Sequence, residues 1–306
     1  MNATNPPDLR EIARRLGGDL YANGRHALLP GPGHSPRDRS LSLSLVGDPP
    51  RLLWHSHAHD APRLVWEYLG LAPEAGRQMT RAEIERERVK RQAEEARERA
   101  RKLAFCREVW EGTQDAQGSP VATYLRARGI TGAIPPTIRF HPAAPRAYPT
   151  DDNPRPATLP AMVAITTGPD GKSAAGLHVT YLRPDGRGKA PLASPRRIFG
   201  EMRGAVVQLG PVPEGDDLGI AEGIETALSY RDLTGATTWA AMSSSNLRHV
   251  SPPAGIARLV IAADGDAAGV EAAHELAQKA SRKVACLVMP APEGTDWNDA
   301  LQEAAA

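Results

Sequence analysis

Three acidic residues in the last third of the chain stand directly after short apolar runs. Glu222 follows Leu-Gly-Ile-Ala, and Asp264 and Asp266 follow Leu-Val-Ile-Ala-Ala. Such runs are typical of buried strands, and the end of a parallel strand is where ligands bind in open α/β sheets. Carboxylates gathered at one edge repel one another unless a cation joins them. The pattern therefore predicts a site for Mg²⁺ or Mn²⁺, whose usual role beside phosphates is phosphoryl transfer.

The same residues also have a purely structural interpretation. Glu222 and Asp266 precede predicted helices, where carboxylates cap free N–H groups and favour the helix dipole. The occurrence of three acids in order, each after a strand, favours the metal site over capping alone. Glu225, one turn inside its helix, is expected to be solvated or favoured by the helix dipole.

The elements that must position these acids alternate between strands and helices. Strands are predicted over 218–221, 237–242, 259–263 and 284–289, with helices over 224–233 and 267–279. This alternation predicts an α/β domain over 211–306, with a parallel sheet flanked by helices.

The segment before this domain, 119–210, predicts an α+β module. A helix is expected over 121–128, and strands over 159–166 and 175–182 are joined by a Pro-Asp-Gly turn, which indicates antiparallel pairing. The Pro-rich stretch 135–160 is expected to be a long loop.

The first part of the chain predicts a small domain over 1–72 and a linker over 73–118. Strands are expected near 41–46 and 51–55, between helices at 8–16 and 61–69. A charge-dense helix is predicted over 74–110, with Thr80 and Glu83 as a capping box. Its mixed charges favour an exposed linker that docks at its end over a DNA-contacting helix.

Three motifs resemble the signature of Toprim (topoisomerase–primase) domains, over roughly residues 205–303. They are Ala-Glu222-Gly-Ile-Glu-Thr, Ala-Ala-Asp264-Gly-Asp266-Ala-Ala-Gly and Thr-Asp296-Trp-Asn-Asp299. The nearest similarity is to primase-like Toprim proteins of phages and mobile elements. The resemblance implies that Glu222 is a general acid/base, that Asp264 and Asp266 bind metal, and that Asp296 and Asp299 support them. The candidate metal ligands are Glu222, Asp264, Asp266 and Asp296.

The N-terminal domain resembles a degenerate form of the primase zinc ribbon. Cysteines expected there are missing, and His34, His55 and His57, followed by His59, are the candidate ligands. Because thiolates dominate structural zinc sites, a metal-free ribbon is favoured and Zn²⁺ is not expected. Arg37 and Arg39 are candidate DNA contacts.

The middle module is similar to the segment that precedes Toprim in the same proteins, where basic residues face template and nucleotide. The arginine fork suits phosphate geometry, although single loop cations are equally often ordinary surface charges. The candidates here are Arg183, Lys189, Arg196 and Arg197.

The combined interpretation is a primase-like nucleotidyltransferase that makes primers on single-stranded DNA from NTPs in phage, plasmid or mobile-element replication. The same acids also fit a metal-dependent Toprim nuclease. A third interpretation is a non-catalytic accessory that binds single-stranded DNA. No phosphate-binding loop of the form G-x-x-x-x-G-K-[ST] is found, so a helicase is expected on a separate chain.

Composition excludes several other classes. Across 306 residues the net charge is +1, so any nucleic-acid surface must be a local patch. Cys106 and Cys286 are far apart, which argues against a disulfide framework and favours a reduced, cytoplasmic setting. No apolar run approaches the length that spans a bilayer, and no signal peptide is recognised, so no membrane partner is expected.

Overall fold

The chain is represented by a computed structural model that describes residues 7–47 and 50–305. It divides after Ala96 into two compact units, each described by itself below. The finer division predicted at 72, 118 and 210 stays a prediction. Among the described residues no helix is long and apolar enough to cross a bilayer.

The first unit is a five-stranded sheet with two short helices. The strands lie in the order β1-β2-β3-β4-β5, antiparallel except for the parallel pair β4–β5. The elements are α1 (Leu9–Leu16), β1 (Asp19–Tyr21), β2 (His26–Leu29), β3 (Leu41–Val46), β4 (Arg51–Ser56), α2 (Pro62–Leu69) and β5 (Gly76–Gln78). Both predicted helices and both predicted strands are confirmed.

The core of this unit forms where the helices cover the sheet. Leu9 and Ile12 of α1 and Trp66 of α2 pack on buried strand residues such as Leu43 and Trp54. The rings of Trp54 and Trp66 meet edge to face with centroids 5.8 Å apart. Burial of such large aromatic rings is a main source of stability in a domain this small.

A long charged helix, α3 (Arg81–Glu111), begins at the predicted capping box. The Thr80 N–H donates to Glu83 Oε2 at 2.9 Å, and the Glu83 N–H donates to Thr80 Oγ1 at 3.3 Å. The helix is largely exposed until Cys106 and Val109, which are buried. The docked end is confirmed. The predicted start at 74 is wrong, because β5 occupies residues 76–78.

The second unit begins with an antiparallel sheet in the order β6-β7-β8-β9. Its elements are α4 (Pro120–Ala127), β6 (Ile138–Pro145), β7 (Thr158–Thr167), β8 (Ala174–Tyr181) and β9 (Arg196–Gly200). The predicted antiparallel pair is confirmed as β7 and β8.

The predicted Pro-rich loop over 135–160 is wrong at both of its ends. Strand β6 occupies residues 138–145 and pairs with β7, with a register shift between His141 and Ala144. Proline lacks an N–H donor and is tolerated at edge strands and bulges. Because β6 is an edge strand and its bulge lies around Pro142, two prolines fit without breaking the sheet.

The second sheet of this unit has the order β10-β12-β11-β13-β14, and its last four strands are parallel. Its elements are β10 (Val207–Gln208), β11 (Asp217–Ala221), α5 (Ile224–Thr234), β12 (Thr238–Ala240), α6 (Ser244–Leu247), β13 (Arg258–Ala263), α7 (Ala267–Ala280), β14 (Ala285–Pro290) and α8 (Trp297–Ala305). The predicted α/β class, with a parallel sheet flanked by helices, is confirmed. Only β10 is antiparallel.

One face of the parallel sheet shares a core with the antiparallel sheet. Ile224 and Leu228 of α5 pack with Tyr124 and Leu125 of α4 and with Met162 of β7. The opposite face, with Leu218, Ile220 and Ile261, is covered by the α7 residues Ala272, Ala273 and Leu276. This shared core fixes β9 and α4 relative to the carboxyl edge of the parallel sheet.

Candidate metal and phosphate site

Two neighbouring parallel strands deliver the predicted acids to one edge. β11 ends at Ala221, which stands opposite Ala262 of β13, so Glu222 and Asp264 leave the sheet at the same edge, with Asp264 one residue further along its strand. Adjacent strands lie about 4.8 Å apart, which brings side chains at their ends into interaction range. The edge is the carboxyl edge, as the sequence predicts.

Asp264 is the most strongly perturbed acid of this edge. Burial raises its pKa to about 7, and Glu222, Asp296 and Asp266 add to the rise by repulsion. Its Oδ1 is buried and finds no hydrogen-bond partner among the described residues. An unpartnered, partly desolvated carboxylate is costly, and a cation is the partner that relieves both costs.

Glu222 and Asp266 differ in what their side chains do. Burial raises the pKa of Glu222, the charge of Asp266 adds to it, and the Ser244 N–H and Arg196 oppose it. Asp266 caps α7 by accepting the Gly269 N–H at 2.6 Å. The capping interpretation therefore holds for one oxygen of Asp266. Glu222 does not cap α5, whose N-cap is Gly223. Its carboxylate instead accepts the N–H of Ser244, the first residue of α6.

These carboxylates are neighbours but do not form a closed cage. Within residues 7–47 and 50–305, no three His, Cys, Asp or Glu side chains converge as ligands of one ion. Mg²⁺ usually takes one or two carboxylates and completes its shell with water and phosphate, so the open arrangement fits that ion.

Arg196 brings positive charge to the same edge from β9. Its guanidinium lowers the pKa of both Glu222 and Asp264, after the larger opposing effect of burial. Half of its side chain is exposed. A half-exposed guanidinium beside a carboxylate edge can bind a phosphate with two parallel hydrogen bonds.

Comparison with known proteins assigns this part of the chain. A model of the Toprim domain family matches residues 217–306, the segment that carries all three acids. Residues 217–306 are a Toprim domain. A second family model, described as a domain of unknown function (DUF7146), matches residues 99–209. No curated protein sequence matches the chain.

The chain is similar to several solved primase structures, all at low sequence identity. A DNA primase domain from Pseudomonas aeruginosa is 13% identical, with a TM-score of 0.46 over 65% of this chain and 74% of that one. The Aquifex aeolicus primase, with zinc-binding and RNA polymerase domains, is 15% identical, with a TM-score of 0.44 over 97% and 82%. The RNA polymerase domain of a Mycobacterium tuberculosis primase is 16% identical, with a TM-score of 0.41 over 68% and 82%.

The expectation that Glu225 of the Toprim domain is solvated is wrong. Its side chain is 5% exposed and lies 2.9 Å from Lys189 Nζ and 3.7 Å from Arg196 Nη2. The Tyr124 hydroxyl donates to it at 2.6 Å. Burial opposes its ionisation, yet the two cations and the hydrogen bonds lower its pKa below the usual range.

The four cations predicted to face nucleotide differ from one another in position and in partners. Arg196 faces the acids of the Toprim domain, whereas Arg197 follows it on the strand and points to the opposite face of the sheet. Arg197 Nε donates to the Arg146 carbonyl at 3.3 Å. Lys189 is paired with Glu225, and the exposed Arg183 lies 3.8 Å from Asp185. Only Arg196 is both at the acidic edge and half exposed.

The acidic side chains of the downstream motif, Thr-Asp296-Trp-Asn-Asp299, mainly form hydrogen bonds at the start of α8. Asp296 Oδ1 accepts the N–H groups of Asn298 and Asp299 at 2.7 and 2.9 Å. It thus caps α8, while its charge still raises the pKa of Asp264. Asp299 is exposed and its Oδ2 accepts the Asp296 N–H. A supporting role fits Asp296 better than that of a principal ligand.

Asn298, between these acids, ties three helices together and was not singled out from the sequence. Its side chain is fully buried, and its amide donates to the Arg128 carbonyl at 2.7 Å and to Ser229 Oγ at 2.9 Å. Its carbonyl accepts from Gln302 at 2.9 Å. The only sequence signal was its place inside the Asp-Trp-Asn-Asp motif.

Replacement of Asn298 by alanine is expected to destabilise the second unit by about 2–4 kcal/mol, because buried acceptors lose their donor. Urea unfolding of the full chain measures the loss. Glu303→Ala, at an exposed position on the same helix, is the control and is expected to cost less than about 1 kcal/mol. An N298A variant as stable as the control would contradict the assigned contacts.

The candidate zinc ligands of the first unit lie in hydrogen-bonded surroundings. His34 Nδ1 is 3.0 Å from Asp38, and its Nε2 is 3.5 Å from Asp60. Asp60 accepts from Ser56 Oγ at 2.7 Å. His55 and His57 stack edge to face, with centroids 4.5 Å apart. The structure does not gather the three histidines around one ion among the residues it describes.

The two arginines predicted to contact DNA belong to the same unit. Arg37 is exposed, and its N–H lies 3.4 Å from Ser35 Oγ. Arg39 is paired with Asp19 at 2.7 Å and donates to the carbonyls of Pro36 and Asp38. Arg37 therefore remains the more available of the two, and its contact with DNA stays a prediction.

Chelation is expected to leave the first unit folded. The carboxylates Asp38 and Asp60 and the hydroxyls of Ser40 and Ser56 bond to one another and to His34, so the turn is held by hydrogen bonds. Amide exchange of β3 and β4 is expected to be the same with EDTA and with added Zn²⁺. Faster exchange in EDTA would indicate a structural ion at these histidines.

Proposed function

We propose that the chain is a primase-like nucleotidyltransferase that makes primers on single-stranded DNA in phage, plasmid or mobile-element replication. The observation that supports this most is that two features lie at the same edge: the carboxyl of Asp264, which has an oxygen without a hydrogen-bond partner, and the half-exposed guanidinium of Arg196. The first favours a bound cation and the second can bind phosphate. A nucleoside triphosphate carries several negative charges and needs both a metal ion and protein cations.

The donor set fits a hard divalent cation. Asp264 and the free oxygen of Asp266 would hold Mg²⁺ or Mn²⁺, with Asp296 as a supporting charge. The ion, when bound, supplies charge neutralisation at the reacting phosphate. Ionised Asp264 is disfavoured in the protein alone, so binding of the ion and ionisation of this carboxyl are coupled.

Glu222 is suited to move a proton. Its pKa is raised by burial, which makes the half-buried carboxylate a better proton acceptor than an exposed one. The proton of the attacking 3′-hydroxyl is the one it would take. Arg196 would hold the phosphates of the incoming nucleotide so that the 3′-oxygen attacks the α-phosphate in line with the bond to the β-phosphate, which breaks and releases pyrophosphate.

The proposed partners are single-stranded DNA, NTPs and a replicative helicase on a separate chain. The template must pass the edge that carries Glu222, because the primer end has to reach this carboxyl. Stretches of template would be held by phosphate contacts, and such binding weakens as salt rises.

A primer-synthesis assay tests the proposal. Single-stranded templates of mixed sequence, labelled NTPs and Mg²⁺ or Mn²⁺ are expected to give short oligonucleotides with the wild-type protein. No product beside a working primase would contradict the proposal. Metal-dependent nicking of plasmid instead would assign a nuclease. DNA binding unchanged by EDTA, without turnover, would assign a non-catalytic accessory.

A further inference from the structure

Glu225 is a buried carboxylate that the mechanism above does not use. It sits on α5, one turn beyond Glu222, and its residue surface is 3% exposed. Its partners come from three separate segments: Tyr124 of α4, Lys189 of the loop after β8, and Arg196 of β9. A buried charge with partners this dispersed fixes the arrangement of the segments that supply them.

The charges around Glu225 do not balance, since two cations face one carboxylate. Lys189 is nearer, at 2.9 Å, and its side chain is 25% exposed. Arg196 is farther, at 3.7 Å, and its side chain is 50% exposed. Neighbouring His178 is buried, and burial lowers its pKa to about 4, so it adds no charge at neutral pH. Glu225 therefore matches only one of the two positive charges. The other lies on Arg196, the more exposed side chain, which also faces Glu222 and Asp264 at the acidic edge.

We propose that Lys189 is a positioning residue that acts as the counter-ion of the buried Glu225 and so leaves Arg196 available for the phosphates of a nucleoside triphosphate. Lys189 then acts through Glu225 and does not touch the nucleotide. This inference rests on the proposed function, because it names how the phosphate of that reaction is held.

The physical reason lies in competition for one guanidinium. Without Lys189, Glu225 would be a buried carboxylate whose nearest cation is Arg196, and the pair would close to direct contact. Arg196 would then be withdrawn from the acidic edge. Removal of both Lys189 and the charge of Glu225 would end this competition and return Arg196 to the ligand.

The test is a set of calorimetric titrations that measure binding of inorganic tripolyphosphate, in the presence of Mg²⁺, to the full chain. The variants are Lys189→Met, Glu225→Gln, the double variant and Arg196→Gln. Arg187→Gln, an exposed cation in the same loop as Lys189, is the matched control. Thermal unfolding of each variant checks that it is folded.

The expected pattern is a rescue. Arg196→Gln weakens binding about tenfold or more, since it removes a charge-assisted pair of hydrogen bonds. Lys189→Met weakens binding several-fold, and the double variant returns to within about twofold of wild type, because no buried carboxylate then competes for Arg196. Arg187→Gln stays at the wild-type value.

Several results would overturn the inference. A double variant as weak as Lys189→Met would show that Lys189 itself contacts phosphate, and an Arg196→Gln variant that binds normally would remove the ligand role of Arg196. Absence of tripolyphosphate binding by the wild type would also overturn it. If Lys189→Met does not fold, Glu225→Gln and the double variant are compared, and equal binding by these two is expected.

Failure of the proposed function would look different. The binding pattern needs no turnover. If the variants show the rescue while the wild-type protein makes no primers, primer synthesis is contradicted and the role of Lys189 stays intact.

Discussion

Replacement of Asp264 by asparagine is expected to lower nucleotidyl transfer on the order of 10³-fold, which corresponds to about 4 kcal/mol of transition-state stabilisation. The change keeps the shape of the side chain and removes the charge that would hold the divalent cation. The rate of primer extension at saturating NTP measures the effect. Asp266→Asn is expected to lose activity as well, although its cap on α7 can persist through the amide oxygen.

The matched control for this loss is Asp216→Asn. Asp216 is an exposed aspartate just before β11, at the opposite end of the same parallel sheet. It loses the same charge without touching the carboxyl edge, so its activity is expected to stay within about twofold of wild type. An Asp264→Asn enzyme with activity near that of the control would remove Asp264 from the catalytic machinery.

The same Asp264→Asn replacement is expected to stabilise the protein by about 2–4 kcal/mol at pH 7.5 without divalent ions. The carboxyl has a pKa of about 7 in the folded chain against 3.8 as its ordinary value. A raised folded pKa means that the protonated form favours folding. The stability it gives is present below about pH 4 and is lost as pH rises from about 4 to 7.

Urea unfolding in EDTA at several pH values measures this gain. The difference between Asp264→Asn and wild type is expected to be small at pH 4 and largest above pH 7. Added Mg²⁺ is expected to stabilise the wild type more than the variant, because the ion binds only the folded site. An Asp264→Asn variant that is less stable than wild type at pH 7.5 would show that the ionised carboxyl of Asp264 does not destabilise the fold.

The acidic edge could be predicted because its signals are local. An apolar run followed at once by Glu222 or Asp264 fixes both a strand and the place of the carboxylate at its end. The burial of Glu225 among its charged and hydroxyl partners could not be predicted in the same way. Its partners Tyr124, Lys189 and Arg196 lie between 29 and 101 residues away in sequence, and only the shared core brings them to α5.

The errors in secondary structure have similar causes. Strand β6 was missed because its prolines indicate a loop, and only its position at the edge of the sheet makes them tolerable. Strand β9 was missed because Arg196 and Arg197 are charged and exposed, so no apolar alternation indicates a strand. Its pairing with β8 is what places Arg196 at the acidic edge. Long-range contacts, absent from any short window, decide these features.

The most direct test of the metal site is a titration of the full chain with Mn²⁺ at pH 7.5, in which electron paramagnetic resonance measures the bound ion. Wild-type protein is expected to take up Mn²⁺, and this uptake is expected to weaken as pH falls below about 7, where Asp264 becomes protonated. Asp264→Asn is expected to lose this uptake, whereas Asp216→Asn is expected to keep it. Wild-type protein that binds no Mn²⁺ with or without tripolyphosphate, or that binds it equally well after Asp264→Asn, would contradict the site proposed at this edge.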